Sequence, residues 1–464
     1  MSDLRDHESE LAGALRRLEP HTSFADVLTE SAEGEGCRLD SKSVSPAREP
    51  TLRGAVLRAW GGGRWVEAAT SGLDAASLRA AADSVLAGLT KAGSGAPLAG
   101  EPSTVRKDWT ESPAHPLRDV PLEELIALEK DVLSRATAVD GIKECQVSIL
   151  WADDERFYLN TAGARCYQVT SRVRATTVPI AIENGRVEFD YLSEGGVGGR
   201  ERLAFLSSDR IEGVARDSAK LLHAGAPPTG EMSVLLDPGT TGTFAHESFG
   251  HGTEADQFVR NRSYLLPILG TMVGPETLTI ADEGPYPGAW GMVQCDDEGN
   301  PGRRTVLVER GRFLGGLHDR ETAAALHASV TGNARRADFL SRLFVRMTNT
   351  YVEPGDWSLE ELVREVKQGV LMEHSTSGIE DPQGGQMQLK VKKGRKIENG
   401  RLTDTVTSMA LSGKVLDFLK GIRGLSRRSD FEMTPGYCGK GHTDLLPVAS
   451  GGTYLLSTAI VGPA

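Results

Sequence analysis

The residues of this chain best suited to chemistry lie in one short stretch, TFAHESFGHGTEADQF, from Thr243 to Phe258. His246 is followed directly by Glu247, and His251 lies five residues after His246. Zinc proteases use the spacing H-E-x-x-H, because residues four apart share one face of an α-helix and both imidazoles reach the same metal. The spacing here is H-E-x-x-x-H. A five-residue step turns about 140° around a regular helix, so a straight α-helix does not present both rings to one ion.

A metal site at this spacing requires a departure from α-helical geometry. One π-type turn brings positions i and i+5 together, and such turns concentrate at functional sites. Gly250 and Gly252 flank His251 and weaken a regular helix there, so the sequence permits such a turn. Spacing alone favours the other interpretation, in which two histidines lie near each other by chance in a helix that ends at Gly252.

A metal site in this stretch would need further residues, and the chain offers two kinds. A third ligand is available in the segment PGYCGKGH, where Cys438 lies in a glycine-bounded loop and His442 follows four residues later. On these residues alone, a small buried apolar side chain is the better interpretation of Cys438, and a surface histidine that of His442. Glu254 and Asp256, shortly after His251, either orient ligands through hydrogen bonds or lie on a solvated surface.

Composition narrows the class of protein. The 464 residues carry 64 Asp and Glu against 52 Lys and Arg, a net charge of −12, so nucleic acid is not expected as a partner. The start MSDLRDHESE lacks the features of a signal peptide, and no apolar run approaches the ~18 residues of a membrane span. We therefore expect a cytoplasmic protein without a membrane partner. Five cysteines without CxxC spacing argue against a disulfide framework and a zinc ribbon.

The pattern of elements predicts an α+β fold in two domains. Residues 1–225 combine alternating, antiparallel-type strand patterns with helical patterns, and a linker rich in Gly, Pro and Ser lies at about 93–120. The segment HAGAPPTGE marks the boundary. Residues 226–464 are mostly β, with few helices, one of which is announced by a capping box from Ser358 to Glu361.

Six longer motifs occur in a fixed order along the chain: HESFGHGTEADQ, DDEGNPGRRTVLVERGRFLGGLHDR, TGNARR, RMTNTYVEPG, EDPQGGQMQL and PGYCGKGH. In this order and spacing they resemble the TldD/PmbA family of metalloproteases. Within it the chain resembles the TldD branch, which keeps H-E-x-x-x-H, and not the PmbA (TldE) branch, which lacks it. The resemblance covers essentially the whole chain, weakest before residue 120 and strongest from 232 to 452.

The resemblance implies a zinc metallopeptidase whose mostly β C-terminal domain is the metalloprotease domain. Carried over residue by residue, it makes His246, His251 and Cys438 ligands of Zn²⁺ and Glu247 the general base, with water as the attacking group. It thereby decides between Cys438 and His442 as third ligand. Many relatives have a Gln near the position of His442, which is therefore a candidate for substrate contact.

The family also implies unfolded or small peptides as substrates, bound in extended form. A sheet edge holds such a peptide through main-chain hydrogen bonds with little regard for its sequence. Gly384 and Gly385, in EDPQGGQMQL, are candidate substrate-binding residues, or they form a tight turn before a strand. Family members act as dimers that enclose the site, so we expect a homodimer or a heterodimer with a PmbA (TldE)-like subunit.

The alternative from another class is a non-catalytic subunit that binds a peptide or a partner protein, as in the PmbA-like half of such complexes. The intact set His246, Glu247, His251 and Cys438 argues against it. Ser–His–Asp catalysis has no support because no G-x-S-x-G elbow is present, and SEGGVGGRERL fits neither GxGxxG nor a P-loop. Within the enzyme class, general peptide degradation competes with maturation of a modified precursor peptide, and the sequence does not discriminate between them.

Overall fold

The structure, a computed structural model, describes residues 3–92, 98, 100–110, 113–440 and 444–464. It contains 26% helix and 43% strand, which confirms the predicted α+β class. The division into two domains near residue 225 stays a prediction. None of the helices in the described ranges is long and apolar enough to span a membrane.

The N-terminal half is built on one sheet. Its strands are β1 (Ala25–Leu39), β2 (Val44–Gly61), β3 (Arg64–Thr70), β4 (Arg106–Trp109), β5 (Ile142–Asn160), β6 (Arg165–Glu183), β7 (Arg186–Phe189) and β8 (Leu192–Val197). The order is β3-β2-β1-β5-β6-β4, with β7 and β8 also paired to β6. Every pairing is antiparallel except that of β4 with β6. Strand β4 lies within the segment interpreted as a linker.

Four α-helices accompany this sheet in the described ranges: α1 (Glu8–Leu18), α2 (Ala75–Ala92), α3 (Leu122–Thr137) and α4 (Ser208–Leu221). Helices α1 and α2 share an apolar core with β1, β2 and β5, and α3 and α4 share another with β5 and β6. Leu78, Ala81, Ala82, Val85 and Leu89 of α2 recur at helical spacing and are buried, because one face of an amphipathic helix must leave water.

The C-terminal half contains many short strands and short helices. Its strands are β9 (Gly230–Leu236), β10 (Ile280–Glu283), β11 (Arg304–Glu309), β12 (Arg312–Phe313), β13 (Ala334–Arg335), β14 (Phe344–Val345), β15 (Asn349–Val352), β16 (Gln368–Glu380), β17 (Gln386–Glu398), β18 (Arg401–Val406), β19 (Met409–Lys414), β20 (Gly424–Leu425), β21 (Glu432–Lys440), β22 (Asp444–Gly452) and β23 (Leu455–Pro463). Its α-helices are α5 (Pro238–Thr243), α6 (Ala255–Val259), α7 (Arg320–Ala325), α8 (Leu359–Arg364) and α9 (Val415–Lys420). The capping box from Ser358 to Glu361 is present at the start of α8.

Two sheets dominate this half. Strands β16, β9, β23, β19 and β17 pair in that order, and β17 pairs back to β16, so the five form a closed ring. The other sheet has the order β12-β11-β10-β15-β22-β21, in which β21 is an edge strand. Strand closure buries the inward side chains of the ring in the largest apolar core of the described chain.

A π-helix, Phe244–Gly250, follows α5 directly and contacts strands of both sheets. Phe244 packs on Phe418, with ring centroids 4.6 Å apart, and Phe249 packs on Phe313 at 6.0 Å. Both aromatic residues of the π-helix are fully buried, which anchors it between the ring and the six-stranded sheet.

Candidate metal centre

The stretch with unusual histidine spacing folds as the π-turn that a shared metal site requires. Helix α5 begins with Pro238, and the side chain of Asp237 accepts a hydrogen bond from the Thr240 N–H at 2.7 Å, which caps the helix. The chain then widens into the π-helix, and the His251 N–H donates to the His246 carbonyl, five residues back. This bond places both imidazoles on one side of the chain.

The structure brings His246, His251 and Cys438 together. One ligand atom from each lies within 4.8 Å of the others. The two imidazole centroids are 5.2 Å apart, with the ring planes at 82°. Cys438 Sγ lies 3.4 Å from His251 Nε2, although 187 residues separate them in sequence. Of the two candidates for a third ligand, Cys438 therefore lies at the histidines, while His442 lies outside the described residues.

Cys438 is held by its strand and by an arginine behind it. Strand β21 pairs antiparallel with β22, so the position of Cys438 opposite Leu446 is fixed by main-chain hydrogen bonds. The guanidinium of Arg346, which is fully buried, donates to the Cys438 carbonyl oxygen. The thiol itself is buried, with only 3% of the residue exposed.

The electrostatics of the donor cluster, which consists of His246, His251 and Cys438, suit a cation. Burial by itself raises the pKa of the Cys438 thiol, but contact with His246 and His251 outweighs it and brings that pKa to about 4. The thiolate is the species that binds metals. His246 is 97% buried, and neither ring nitrogen has a hydrogen bond of good geometry within the described chain. Buried polar atoms without partners are uncommon, and an ion among these three donors would satisfy one of the two His246 nitrogens.

Glu247 lies beside the donor cluster but is not one of the three grouped ligand residues. Its Oε2 is 3.7 Å from His251 Nε2, and 31% of its side chain is exposed, so the carboxylate reaches both the donors and solvent. Gly378 of β16 packs against its stem: a Cβ at Gly378 would lie 2.6 Å from Glu247 Cβ. The strand therefore fixes the direction of the Glu247 side chain.

Glu254 contacts the Nδ1 side of the His251 ring, and Lys440 binds Glu254 in turn. Glu254 Oε2 lies 3.2 Å from His251 Nδ1, and Lys440 Nζ lies 2.9 Å from the same oxygen. Lys440 also donates to Asp256 Oδ1 at 2.8 Å, so Asp256 contacts the lysine and not a donor of the cluster. Burial opposes ionisation, yet Lys440 and His251 hold the pKa of Glu254 below its usual value. Glu254 is 1% exposed, which excludes a solvated surface position.

Sequence reasoning missed Lys440, although a signal for it was present. Successive side chains of a strand alternate between faces, so a residue two after Cys438 in a strand shares its face. An assignment of PGYCGKGH to a strand in place of a loop would have placed Lys440 beside the third donor. The structure shows residues 435–440 of this segment within β21.

Gly384 and Gly385 lie in the turn between β16 and β17. The Gly385 N–H donates to the Asp381 carbonyl at 2.8 Å, and Gly385 has φ +69°, a conformation that favours glycine. A Cβ at Gly385 would lie 3.2 Å from the Tyr264 ring, so the close backbone approach here is to the chain's own Tyr264. A substrate-binding role for these glycines stays a prediction.

Comparison with known proteins identifies the family. Residues 229–458 match the PmbA/TldA metallopeptidase C-terminal domain, and residues 115–225 match the central domain of the same proteins. A metalloprotease of Methanothermobacter thermautotrophicus is 32% identical over 97% of this chain and 98% of its own length. The chain belongs to the PmbA/TldD metallopeptidase family. The resemblance inferred from the six motifs is thus confirmed.

Other PmbA/TldD relatives agree. Metalloprotease MJ0996 of Methanocaldococcus jannaschii is 35% identical over 74% of this chain and 75% of its own length. A Saccharolobus solfataricus protein named zinc metalloprotease TldD homolog is 33% identical over 50% of this chain and 52% of its own length. The crystal structure of TldE from Thermococcus kodakarensis superposes with a TM-score of 0.76 at 16% identity, over 98% of this chain and all of that one. At that identity the likeness shows the shared fold.

Proposed function

We propose that this chain is a zinc metallopeptidase that hydrolyses unfolded or small peptides, with Glu247 as general base. The observation that carries the proposal is the meeting of His246, His251 and Cys438 across a π-turn, with Glu247 beside them. A chance spacing of two histidines has no reason to meet a buried thiolate from a strand 187 residues away.

The donor set fits zinc. Two imidazoles and one thiolate are ligands that Zn²⁺ accepts, and catalytic zinc sites use three protein ligands. The relative from S. solfataricus carries zinc in its name, which supports the same metal here. Held by these three residues, Zn²⁺ would acidify a water molecule and polarise a peptide carbonyl.

Glu247 is suited to move the proton. Its carboxylate lies within reach of the donor cluster and of solvent, so it accepts a proton from the attacking water and passes it to the leaving amine. Gly378 leaves room for the stem of Glu247, since a Cβ at position 378 would lie 2.6 Å from Glu247 Cβ.

An extended peptide has a place to bind next to Glu247. Strand β16 pairs with β9 only as far as Met372, opposite Leu236, while β16 itself continues to Glu380. On that edge, residues 376–380 have no strand partner in the described part of the chain. Such an edge offers main-chain donors and acceptors to a peptide, and Gly378 at its centre contacts Glu247.

A partner subunit would complete the enclosure of the site. Tyr437 and Leu445 lie on the face of β21 and β22 opposite to that of Cys438 and are 46% and 60% exposed, so they offer apolar side chains to a protein contact. The fold shared with TldE supports either a TldE-type partner or a second copy of this chain.

The test is peptide hydrolysis by wild type and a Glu247→Gln variant, with zinc measured in both. We expect the variant to keep its zinc and to lose about 10²–10⁴-fold in kcat, because only the proton acceptor is removed. Glu398→Gln, at the exposed end of β17, is the matched control and should retain wild-type activity. Full activity of Glu247→Gln would refute the assigned role.

A further inference from the structure

Glu380, at the end of β16, is a buried carboxyl outside the centre described so far. Both of its oxygens are buried, and neither has a hydrogen bond of good geometry within the described chain. It belongs to the motif EDPQGGQMQL, to which the proposed function assigns no chemistry at this position. Burying a carboxyl group with so few hydrogen bonds costs stability, so its presence needs a physical reason.

The position of Glu380 links it to the metal-binding turn. Gly378 and Glu380 are two apart in β16 and face the same way. Gly378 contacts Glu247, and Glu380 contacts Gly252: a Cβ at Gly252 would lie 3.0 Å from Glu380 Oε1 and 3.4 Å from Oε2. One face of one strand therefore touches both the general base and the residue after His251.

Tyr264 lies next to the Glu380 carboxyl, and its segment also contacts Gly252. Its hydroxyl is buried without a hydrogen bond of good geometry in the described chain, and it is a polar neighbour of the Glu380 carboxyl. The Tyr264 N–H donates to the Pro382 carbonyl at 3.0 Å, two residues after Glu380. The adjacent Ser263 hydroxyl donates to the Gly252 carbonyl at 2.8 Å. Gly252 is thus held between the 263–264 segment and Glu380.

The Glu380 carboxyl is suited to a polar contact without charge. Burial raises the pKa of Glu380 to about 8, and the Tyr264 hydroxyl and His251 only partly offset this. A neutral carboxyl both donates and accepts a hydrogen bond, as a glutamine side chain does. Glutamine is therefore the variant that preserves the contact.

We propose that Glu380, together with Tyr264, is a positioning residue that fixes the Gly252 turn and through it the ring of His251. The inference rests on the proposed function, since it assumes that His251 binds the metal. A π-turn is less favourable than a regular helix, and a turn that relaxed to α geometry would separate His246 from His251 by about 140° around the axis. The contact at Gly252 opposes that relaxation.

The experiment measures Zn²⁺ affinity by competition with a chromogenic chelator, and the visible spectrum of the Co²⁺-substituted protein, which reports ligand geometry. We expect Glu380→Ala to weaken Zn²⁺ binding about 10-fold or more and to shift the Co²⁺ bands. Glu380→Gln should stay within about threefold of wild type, since its amide replaces the carboxyl contact. The exposed Glu398→Ala on the adjoining strand is the control.

The outcomes separate the two proposals. Wild type that binds no Zn²⁺ in this assay refutes the proposed function itself. Wild type that binds tightly, beside a Glu380→Ala variant of equal affinity and unchanged Co²⁺ spectrum, overturns only the role of Glu380. Loss in Glu380→Gln as large as in Glu380→Ala also overturns it. If Glu380→Ala does not fold, Tyr264→Phe decides, because it removes one hydroxyl and is expected to weaken Zn²⁺ binding several-fold.

Discussion

Each of the three candidate metal ligands is held by a different part of the structure. His251 has Glu254 at Nδ1, Cys438 has Arg346 at its carbonyl oxygen, and His246 lies inside the π-helix. The resemblance carried by the six motifs implies His246, His251 and Cys438 as ligands, whereas spacing alone favours a chance pair of histidines. The contact of Glu254 with Lys440 joins residues 186 apart, which no local pattern reveals.

The contact between Glu254 and His251 can be tested by removing one charge. Glu254→Gln removes the charge that faces His251 Nδ1 and should weaken Zn²⁺ binding about 10–100-fold, the usual effect of losing a carboxylate that orients a histidine ligand. Chelator competition measures this affinity. Asp256→Asn is the matched control, because Asp256 contacts Lys440 and not a donor, and its effect should be clearly smaller. Equal effects of the two variants would contradict the assigned contact.

Two elements, the π-helix and β16, set the geometry of the site. Sequence spacing indicates that a shared metal requires a π-turn, and the structure has one at Phe244–Gly250. The place of β16 in the closed ring was not predictable, because β9, its neighbour on one side, comes from residues 230–236, although β17 follows β16 directly through the turn at Gly384 and Gly385. Local signals such as the capping box at Ser358 were readable, since all their atoms lie within one turn.

Gly378 tests the role of β16. A methyl group at Gly378 would lie 2.6 Å from Glu247 Cβ and must displace that side chain. Because a misplacement of about 1 Å can cost ~10²-fold in rate, we expect Gly378→Ala to lower kcat about 100-fold while zinc content stays at the wild-type level. Gly462→Ala on β23 is the control, since no atom lies within 4 Å of a Cβ there. Wild-type kcat in Gly378→Ala would show that β16 does not position Glu247.

Across the whole molecule, buried ion pairs join the N-terminal sheet to the loop 296–300. Arg156 binds Asp297 at 2.8 Å and Glu30 at 3.0 Å, and Arg58 contacts both Asp26 and Glu298. These side chains are at most 12% exposed. Because water scarcely reaches them, each charge is stabilised by its ion-pair partner. The pattern of strand-like and helix-like segments predicts the α+β class, but pairs between residues more than 100 apart lie beyond any sequence pattern.

Arg156 tests this connection. Arg156→Ala leaves Asp297 and Glu30 buried without their cation and should lower the free energy of unfolding by about 3–5 kcal/mol. Denaturant titration followed by fluorescence measures the change. Arg216→Ala breaks an exposed pair with Glu212 and should cost at most about 0.5 kcal/mol. A loss for Arg156→Ala no larger than that of the control would show that the buried pairs do not contribute.

Elemental analysis of the purified protein tests whether His246, His251 and Cys438 hold one zinc ion. Wild type should contain about one zinc per chain, Cys438→Ala should lose most of it, and His442→Ala should retain it. Wild type without zinc, or a loss in His442→Ala together with retention in Cys438→Ala, would refute zinc binding by these three residues.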